Sequence, residues 1–286
     1  MILITTDDND FVVLNFITGA VIHKQARAPQ LLAKSLDGKG RSPYRPFGIE
    51  FDDKYIYVVS NDKLVAFSRS TCYFSHMIDI PLYINTHQII KDLDTWYTCN
   101  TAVDCIGVYL AGKHQQVNIN FLNKVEAPPE PVHADTMDSR HVNSLFNTPD
   151  KIYFCRHNKT IITSDFGYID KDTLEVKIIA SGGTCCHGIR ILHNQLYTLS
   201  TATGELLKID LGTLGITRYK IVDANTTFLR GLDIHDNKLV IGASINFKNN
   251  INKRSSYVLI FDLKTGGYKK YPVPDNDCIN DLKVMT

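Results

Sequence analysis

The chain has 286 residues, of which 44% are hydrophobic and 21% charged, as in ordinary soluble globular proteins. Its 31 basic and 30 acidic side chains give a net charge of +1 with no basic stripe, which argues against nucleic acid as a partner. Met1 is followed by Ile2-Leu3-Ile4 and Asp7-Asp8 rather than by a secretory signal, and no apolar run approaches the ~20 residues of a membrane helix. We therefore expect a soluble, cytoplasmic protein without a membrane partner.

Short β-type runs, separated by polar or glycine turns, follow one another along the chain. Residues 2–5, 10–14 and 20–23 predict three strands at the start. Units of four strands come next. The first such unit is predicted at residues 47–51, 55–59, 64–67 and 72–80, and later units repeat its plan. The segment 278–285 predicts a single strand at the C terminus.

A triplet opens each unit, in which a polar or aromatic residue precedes a small or polar one and then an aliphatic. The six copies are Phe47-Gly48-Ile49, His87-Gln88-Ile89, Asn143-Ser144-Leu145, His187-Gly188-Ile189, Arg230-Gly231-Leu232 and Asn280-Asp281-Leu282. Their middle residues are 40, 56, 44, 43 and 50 residues apart, and the count from the last copy around to the first is 53. This period predicts an all-β fold, a six-bladed β-propeller.

The two ends of the chain each predict only part of a blade. Residues 278–286 supply a first strand and residues 1–25 supply three more, so the C-terminal strand is predicted to close the ring by joining the N-terminal strands. The other blades are predicted at residues 44–82, 84–123, 140–181, 185–223 and 227–274, within a single domain of residues 1–286.

Two insertions interrupt the regular spacing, at residues 26–43 and 125–139. The second contains Pro128, Pro129 and Pro131, which exclude a central strand. Each insertion is interpreted either as a lid over the channel or as a plain surface loop. Both are also candidate contacts for a protein partner.

The innermost strand of every propeller blade faces a shared central channel, so the first residues of the triplets should meet there, together with the residues two positions before them on the same face of the strand. His87, His141 and His187 are candidate metal ligands, and His141, His187 and Arg230 are candidate catalytic residues. The candidate ligand-binding residues are Arg45, Asn143, Arg230 and Asn280. The alternative is a polar channel that holds only water. His157 follows a second strand and could also approach the channel.

Arg230 is predicted to begin a buried strand, where a charge needs a partner. That partner is either internal, Asp281 or Asp233, or a carboxylate, sulfate or phosphate of a ligand. The chain has no glycine-rich phosphate loop, so no nucleotide cofactor is expected. Its seven cysteines show no C-x-x-C spacing and are predicted to be thiols in a reducing compartment.

Residues 48–52 and 55–58 resemble the NHL-type repeat, in which a glycine-aliphatic first strand precedes an aromatic-rich second one. Residues 87–110 and 138–285 resemble a bacterial propeller-like family of unknown function. The resemblance rests on Arg140-His141-Val142-Asn143-Ser144-Leu145, Cys186-His187-Gly188-Ile189, Leu196-Tyr197, Thr203-Gly204-Glu205-Leu206 and Phe228-Leu229-Arg230-Gly231-Leu232. It implies the propeller fold and marks His87, His141, Asn143, His187 and Arg230 as the site, without implying a reaction.

Two functions from different classes follow. The first is binding of a small polar or anionic molecule in the channel, with a metal-assisted lyase or hydrolase step and an unidentified divalent metal. The second is a non-catalytic propeller that presents its loops to a protein or carbohydrate partner. The chain lacks the glutamate-rich set expected of calcium-dependent lactonases on similar rings.

Overall fold

The computed structural model describes residues 1–7, 9–26, 46–60, 63–80, 82, 86–110, 113–118, 125–126, 140–160, 162–225, 227–245, 256–274 and 278–286. Within these ranges the chain forms six antiparallel sheets, and its helices are the two short 3-10 turns Thr101–Val103 and Asn158–Thr160. The all-β prediction is confirmed.

We number the sheets as blades along the chain, after three N-terminal strands. Those strands are β1 (Ile2–Thr6), β2 (Asn9–Leu14) and β3 (Val21–Ala26). Blade 1 comprises β4 (Pro46–Phe51), β5 (Tyr55–Ser60), β6 (Lys63–Ser68) and β7 (Phe74–Ile78). Blade 2 comprises β8 (Thr86–Asp92), β9 (Thr95–Asn100), β10 (Cys105–Leu110), β11 (Lys113–Asn118) and β12 (Val125–Glu126).

The remaining blades follow the same order from the innermost to the outermost strand. Blade 3 comprises β13 (Val142–Asn147), β14 (Lys151–Arg156), β15 (Asp165–Asp170) and β16 (Val176–Ser181). Blade 4 comprises β17 (Cys186–Leu192), β18 (Gln195–Ser200), β19 (Glu205–Asp210) and β20 (Ile216–Lys220). Blade 5 comprises β21 (Thr227–His235), β22 (Lys238–Ile245), β23 (Tyr257–Asp262) and β24 (Tyr268–Pro272).

The closing blade joins the two ends of the chain in the order β25 (Ile279–Val284), β1, β2, β3. Strand β25 pairs antiparallel with β1, and Ile2 lies opposite Val284. Beyond this ladder, the amino group of Met1 donates to the carbonyl of Met285 at 2.8 Å, and the Met285 amide donates back to Met1 at 2.8 Å. The predicted closure of the ring is confirmed.

The core is divided into six clusters of buried hydrophobic side chains, and each cluster lies between two neighbouring blades. The closing blade contributes to two of them. Ile2 and Ile4 pack against blade 5, while Leu3 and Phe11 pack against blade 1. Burial of both faces of the closing blade is what a complete ring requires, because any open blade would expose an apolar face to water.

One strand differs from the prediction. Residues 125–126 form β12, which pairs with β11 at the outer edge of blade 2, so that Val117 lies opposite Val125. The predicted loop 125–139 therefore begins with an edge strand rather than a central one. Residues 127–139 and 27–45 lie outside the described residues.

Candidate functional site

Each triplet coincides with a β-bulge in the innermost strand of its blade. The ladder of blade 4 skips Gly188, and the ladder of blade 5 skips Gly231. Equivalent irregularities fall between Pro46 and Ile49, between Thr86 and Ile89, between Val142 and Ser144, and opposite Thr5 and Thr6 in the closing blade. A bulge bends the strand and redirects neighbouring side chains. The first residue of every triplet lines the same central cavity as a result.

The third residue of each triplet faces the opposite way, into the core between blades. All six are fully buried aliphatics: Ile49, Ile89, Leu145, Ile189, Leu232 and Leu282. These side chains hold the bulged segment against the neighbouring blade through apolar burial, each contributing about 1.5 to 3 kcal/mol. The polar first residue is thereby held at the axis by the aliphatic residue that follows it.

Six rings form a continuous row around one side of the channel, which we call the histidine arc. Its members are Phe47, His87, His141, His157, His187 and Phe228. Successive ring centroids are 4.6, 5.0, 4.8, 4.9 and 5.4 Å apart. The guanidinium of Arg230 lies 4.9 Å from the Phe228 ring centroid and extends the row by a cation–π contact. We call the end of the channel bounded by the arc and Arg230 the channel mouth.

The protonation of His187 follows from its neighbours. Its Nδ1 lies 3.0 Å from the carbonyl oxygen of Cys185 and 3.0 Å from the hydroxyl oxygen of Thr201. The Thr201 hydroxyl donates its own hydrogen to the carbonyl of Leu229 at 2.8 Å, so it accepts from His187. Two acceptors at Nδ1 require that this nitrogen carries the proton. In the neutral ring, Nε2 then bears a lone pair and acts as an acceptor.

That acceptor is buried without a donor. His187 is 6% exposed, and its Nε2 has no hydrogen-bond partner within the described part of the chain. Burial lowers the pKa of His187 well below the ordinary value of 6.5, and the neighbouring His157 and Arg230 lower it further. The ring is therefore neutral at physiological pH. The pKa of His87 is also well below 6.5, first because the ring is desolvated and then because of His141 and Arg230.

Arg230 and Asn280 meet on the other side of the mouth. Nη1 of Arg230 donates to Oδ1 of Asn280 at 3.2 Å. Nδ2 of Asn280 donates to the Asp7 carboxylate at 3.1 Å and to the Pro46 carbonyl at 2.9 Å. The amide of Asn280 thus joins blade 5 to the closing blade and blade 1 and fixes the side on which the guanidinium lies.

The cavity beneath the mouth is small. Its volume of about 20 Å³ suffices for a single water molecule or one oxygen-sized group. The lining residues are the first member of every triplet together with Gln88, Ser144, Gly188, Gly231 and Asp281. Nε2 of Gln88 donates to the Asp281 carboxylate at 3.2 and 3.3 Å, and the Gly188 amide donates to Ser144 Oγ at 2.7 Å. These cross-axis bonds form a floor, so a larger ligand would extend towards the mouth.

Asp281 is the acidic group in this floor. Its carboxylate also accepts from the backbone amides of Leu282 at 2.9 Å and Ile49 at 3.4 Å. Burial raises its pKa from 3.8 to about 6, although Lys283, Arg190 and the hydrogen bonds act in the opposite direction. Desolvation is the larger effect because the group has little contact with water.

Below the floor, the residues that follow four of the six triplets form a belt of alternating charge, namely Glu50, Arg190, Asp233 and Lys283. Nε of Arg190 donates to Asp233 at 2.6 Å, and Nζ of Lys283 donates to Glu50 at 2.9 Å. Arg190 is 2% exposed, whereas Arg230 is only partly buried. Asp233 was predicted as one possible internal partner of Arg230, and this part of the prediction is wrong because Asp233 binds Arg190. The bulge at Gly231 explains the difference, because it places Arg230 at the mouth.

The predicted site residues fall into three groups. His87, His141, His187, Arg230 and Asn280 do meet at the channel mouth. Asn143 lines the cavity, but its amide donates to the Cys186 carbonyl at 3.0 Å and links blade 3 to blade 4. Arg45 lies outside the described residues. The predicted ligand and catalytic roles of all these residues stay predictions.

The metal prediction receives no support from the arrangement of the rings. Within the described ranges, no group of three His, Cys, Asp or Glu side chains is arranged to hold a metal ion. The ring of His141 instead contacts those of His87 and His157, at centroid distances of 5.0 and 4.8 Å. A bound divalent metal stays a prediction.

His157 was expected to be able to approach the channel but was not assigned to the site, and its ring lies between His141 and His187 and completes the arc. Its amide donates to the His141 carbonyl at 3.1 Å, directly beyond the ladder pair of Val142 and Arg156. The signal was present: a residue that follows a second strand lies next to the residue that precedes the paired first strand. Phe228 lies near the start of β21, two residues before Arg230. Its ring joins the arc next to His187.

The cysteines are free thiols, and adjacent Cys185 and Cys186 do not bridge. Burial raises the pKa of Cys186 to about 12, so this thiol is not a nucleophile at physiological pH. No helix in the described ranges combines the length and apolar character needed to cross a membrane.

The comparisons with known proteins show similarity in fold alone. No family model and no curated protein matches the chain. A chain in the crystal structure of a nidogen/laminin complex superposes with a TM-score of 0.69 at 12% identity, over 98% of this chain and 96% of that one. Virginiamycin B lyase from Staphylococcus aureus superposes with a TM-score of 0.54 at 16% identity, over 81% of this chain and 71% of that one.

These similarities show a six-bladed β-propeller, as predicted, and at such low identity they show the fold alone. The resemblance to NHL-type repeats and to a bacterial family of unknown function stays a prediction, as does a cytoplasmic location.

Proposed function

We propose that this propeller binds a small polar or anionic molecule at the channel mouth. The observation that carries the proposal is the buried Nε2 of His187, an acceptor without a donor in the described part of the chain, on a side chain that lines the same cavity as Arg230. A buried polar atom without a partner costs about 1 to 3 kcal/mol, and such groups concentrate where a ligand completes them. Arg230 supplies a positive charge and a planar set of donors next to it.

A reaction at this site would use the neutral imidazole of His187. With Nδ1 protonated and Nε2 bare, His187 can accept a hydrogen bond or a proton from a ligand, and His141 is a second candidate for proton transfer. A lyase or hydrolase step remains the predicted chemistry. Binding of a ligand at His187 and Arg230 does not require a divalent metal.

Binding is tested by isothermal titration calorimetry at low ionic strength, with acetate, phosphate and sulfate as separate probes. We expect saturable binding of at least one probe. Arg230→Gln should weaken it by about tenfold or more, because a charge-assisted hydrogen bond is lost. The matched control is Arg218→Gln on the outer strand β20, where Arg218 pairs with Glu205 at 3.1 Å and is 48% exposed.

Affinity that is equal in Arg230→Gln and in the wild type would contradict the role of Arg230, and absence of binding to all three probes would contradict the binding of simple anions at the channel mouth.

A second candidate function is presentation of a surface to a protein partner. It is favoured by exposed apolar side chains on and beside the outer strand β7, where Tyr73 is 71%, Phe74 42% and Met77 56% exposed. The similar chain from the nidogen/laminin complex belongs to a protein assembly. A wild-type protein that binds none of the three anions would favour this candidate.

A further inference from the structure

We propose that the ligand of the channel mouth presents a neutral hydroxyl group to Nε2 of His187 and an anionic oxygen to Arg230. This is the chemistry of a small hydroxycarboxylate. The inference rests on the proposed function, because it names the ligand class of the same site.

The hydroxyl follows from the tautomer of His187. Both neighbours of Nδ1 are acceptors, so the proton resides there and Nε2 can only accept. An ionised carboxylate or sulfate offers acceptors alone and cannot satisfy this nitrogen. An ammonium group could donate, but it would lie in the same cavity as the Arg230 guanidinium and be repelled. A neutral O–H is the donor that fits both constraints.

The dimensions of the cavity agree with a hydroxyl. A volume of about 20 Å³ accommodates one oxygen-sized group such as a hydroxyl. His187 and Arg230 are the first triplet residues of adjacent blades and line this space together. A ligand whose hydroxyl enters the cavity would therefore hold its carboxylate at the level of Arg230.

Phe228 supplies the surface for the carbon atoms between these two groups. Its ring centroid is 5.4 Å from that of His187 and 4.9 Å from Cζ of Arg230, so the ring lies beside both polar contacts. A short carbon chain between hydroxyl and carboxylate would contact this ring and be partly desolvated. The simpler occupant is a water molecule, which also donates to Nε2, and the test must separate the two.

The test compares ligands that differ by one hydroxyl: glycolate with acetate, and lactate with propionate, each titrated calorimetrically into the full chain. We expect each hydroxy acid to bind about tenfold or more tightly than its partner, because it alone supplies the missing donor. His187→Phe, which keeps a ring but has no acceptor nitrogen, should remove the difference. His76→Phe on the outer strand β7 is the control and should preserve it.

A second measurement does not depend on a variant that folds. In nitrogen-15 spectra of the wild type, glycolate should shift the Nε2 resonance of His187, because a donor to that nitrogen changes its shielding, and acetate should leave it in place.

Equal affinities of glycolate and acetate, with Nε2 unmoved, would overturn the hydroxyl inference in favour of a bound water and leave anion binding intact. Failure of all four acids to bind would overturn both this inference and the proposed function.

Discussion

His187 owes its chemical state to two uncharged neighbours rather than to a carboxylate. The Cys185 carbonyl orients the ring, and the Thr201 hydroxyl accepts from it only because its own hydrogen is used by Leu229. A carboxylate at Nδ1 would favour a charged imidazolium, whereas these neutral acceptors keep the ring uncharged. The site therefore provides an acceptor that persists across physiological pH.

The first prediction concerns this tautomer. Long-range proton–nitrogen correlation spectra should show His187 protonated at Nδ1 and bare at Nε2, with no second proton taken up as the pH falls through 6.5, because burial holds its pKa well below that value. His187→Phe identifies the signal by its loss. A bare Nδ1, or a ring that becomes doubly protonated near pH 6, would show that the hydrogen-bond assignment is wrong.

At the residue scale, the sequence predicted which side chains lie at the channel more accurately than it predicted their hydrogen-bond partners. Three histidines and Arg230 were expected at the channel from the triplets and the residues two positions before them, and they lie there. Arg190 was missed, although it is the fully buried arginine, because its partner Asp233 lies 43 residues away in the next blade. Pairings between blades depend on the register of two bulged strands, which no local pattern reveals.

At the element scale, the bulge explains why the middle position of the triplet is small or polar. Gly188 adopts φ of +70°, and a Cβ atom at this position would lie 2.6 Å from Cβ of Leu232 in blade 5. Glycine provides both the left-handed backbone and the close approach of one inner strand to the next. The triplet therefore repeats because each blade has the bulge, and the bulge directs the first residue of the triplet towards the channel.

The second prediction separates these two demands. Gly188→Ala should lower the free energy of unfolding by several kcal/mol, because backbone strain of about 1 to 3 kcal/mol adds to a steric clash. Gly266→Ala is the matched control: Gly266 has the same φ of +70°, but nothing lies within 4 Å of its Cβ position. Urea unfolding measures both. Equal losses in the two variants would mean that the approach to Leu232 is unimportant.

The bulges themselves were not predictable from the sequence. Alternation of polar and apolar residues specifies a strand, and a single extra residue interrupts that alternation too briefly to be distinguished from an exception. The turns were easier, since Asp-rich and glycine-rich segments predicted strand ends between residues 52 and 54 and between residues 264 and 267. The strands were therefore predicted as elements, but the way in which they direct their side chains required the structure.

At the scale of the whole molecule, the spacing of the triplets predicted a ring because the last copy needs the N-terminal strands to complete its blade. The structure adds a bond across the axis to this closure. Asp281 in β25 accepts from Ile49 of blade 1 and from Gln88 of blade 2, and Gln88 in turn accepts from the Leu145 amide of blade 3. The carboxylate of one residue thus connects the closing blade to the first half of the ring.

The third prediction concerns the pH dependence of this connection. Burial raises the pKa of Asp281 from 3.8 to about 6, so between these values the folded protein holds a proton that the unfolded chain has released. Stability linked to this proton is present at pH 4 and is lost as the pH rises through 6, at a cost on the order of 3 kcal/mol. Asp281→Asn stays neutral throughout. Its stability relative to the wild type should therefore increase as the pH rises from 4 to 7.

The difference between the two proteins isolates Asp281, because carboxylates with lowered pKa values, such as Asp233 beside Arg190, titrate alike in both. Asp262→Asn is the control with the opposite sign. Backbone amides of Thr265 and Lys264 lower the pKa of this exposed carboxyl, so its contribution is present at neutral pH and is lost on acidification. That loss occurs below the ordinary pKa of 3.8, so the cost of removing this carboxylate should stay nearly constant between pH 4 and 7. Chemical unfolding at pH 4, 5, 6 and 7 measures the free energy of unfolding of each variant relative to the wild type. A difference for Asp281→Asn that does not change with pH would mean that the carboxylate is ionised without penalty at the centre of the ring.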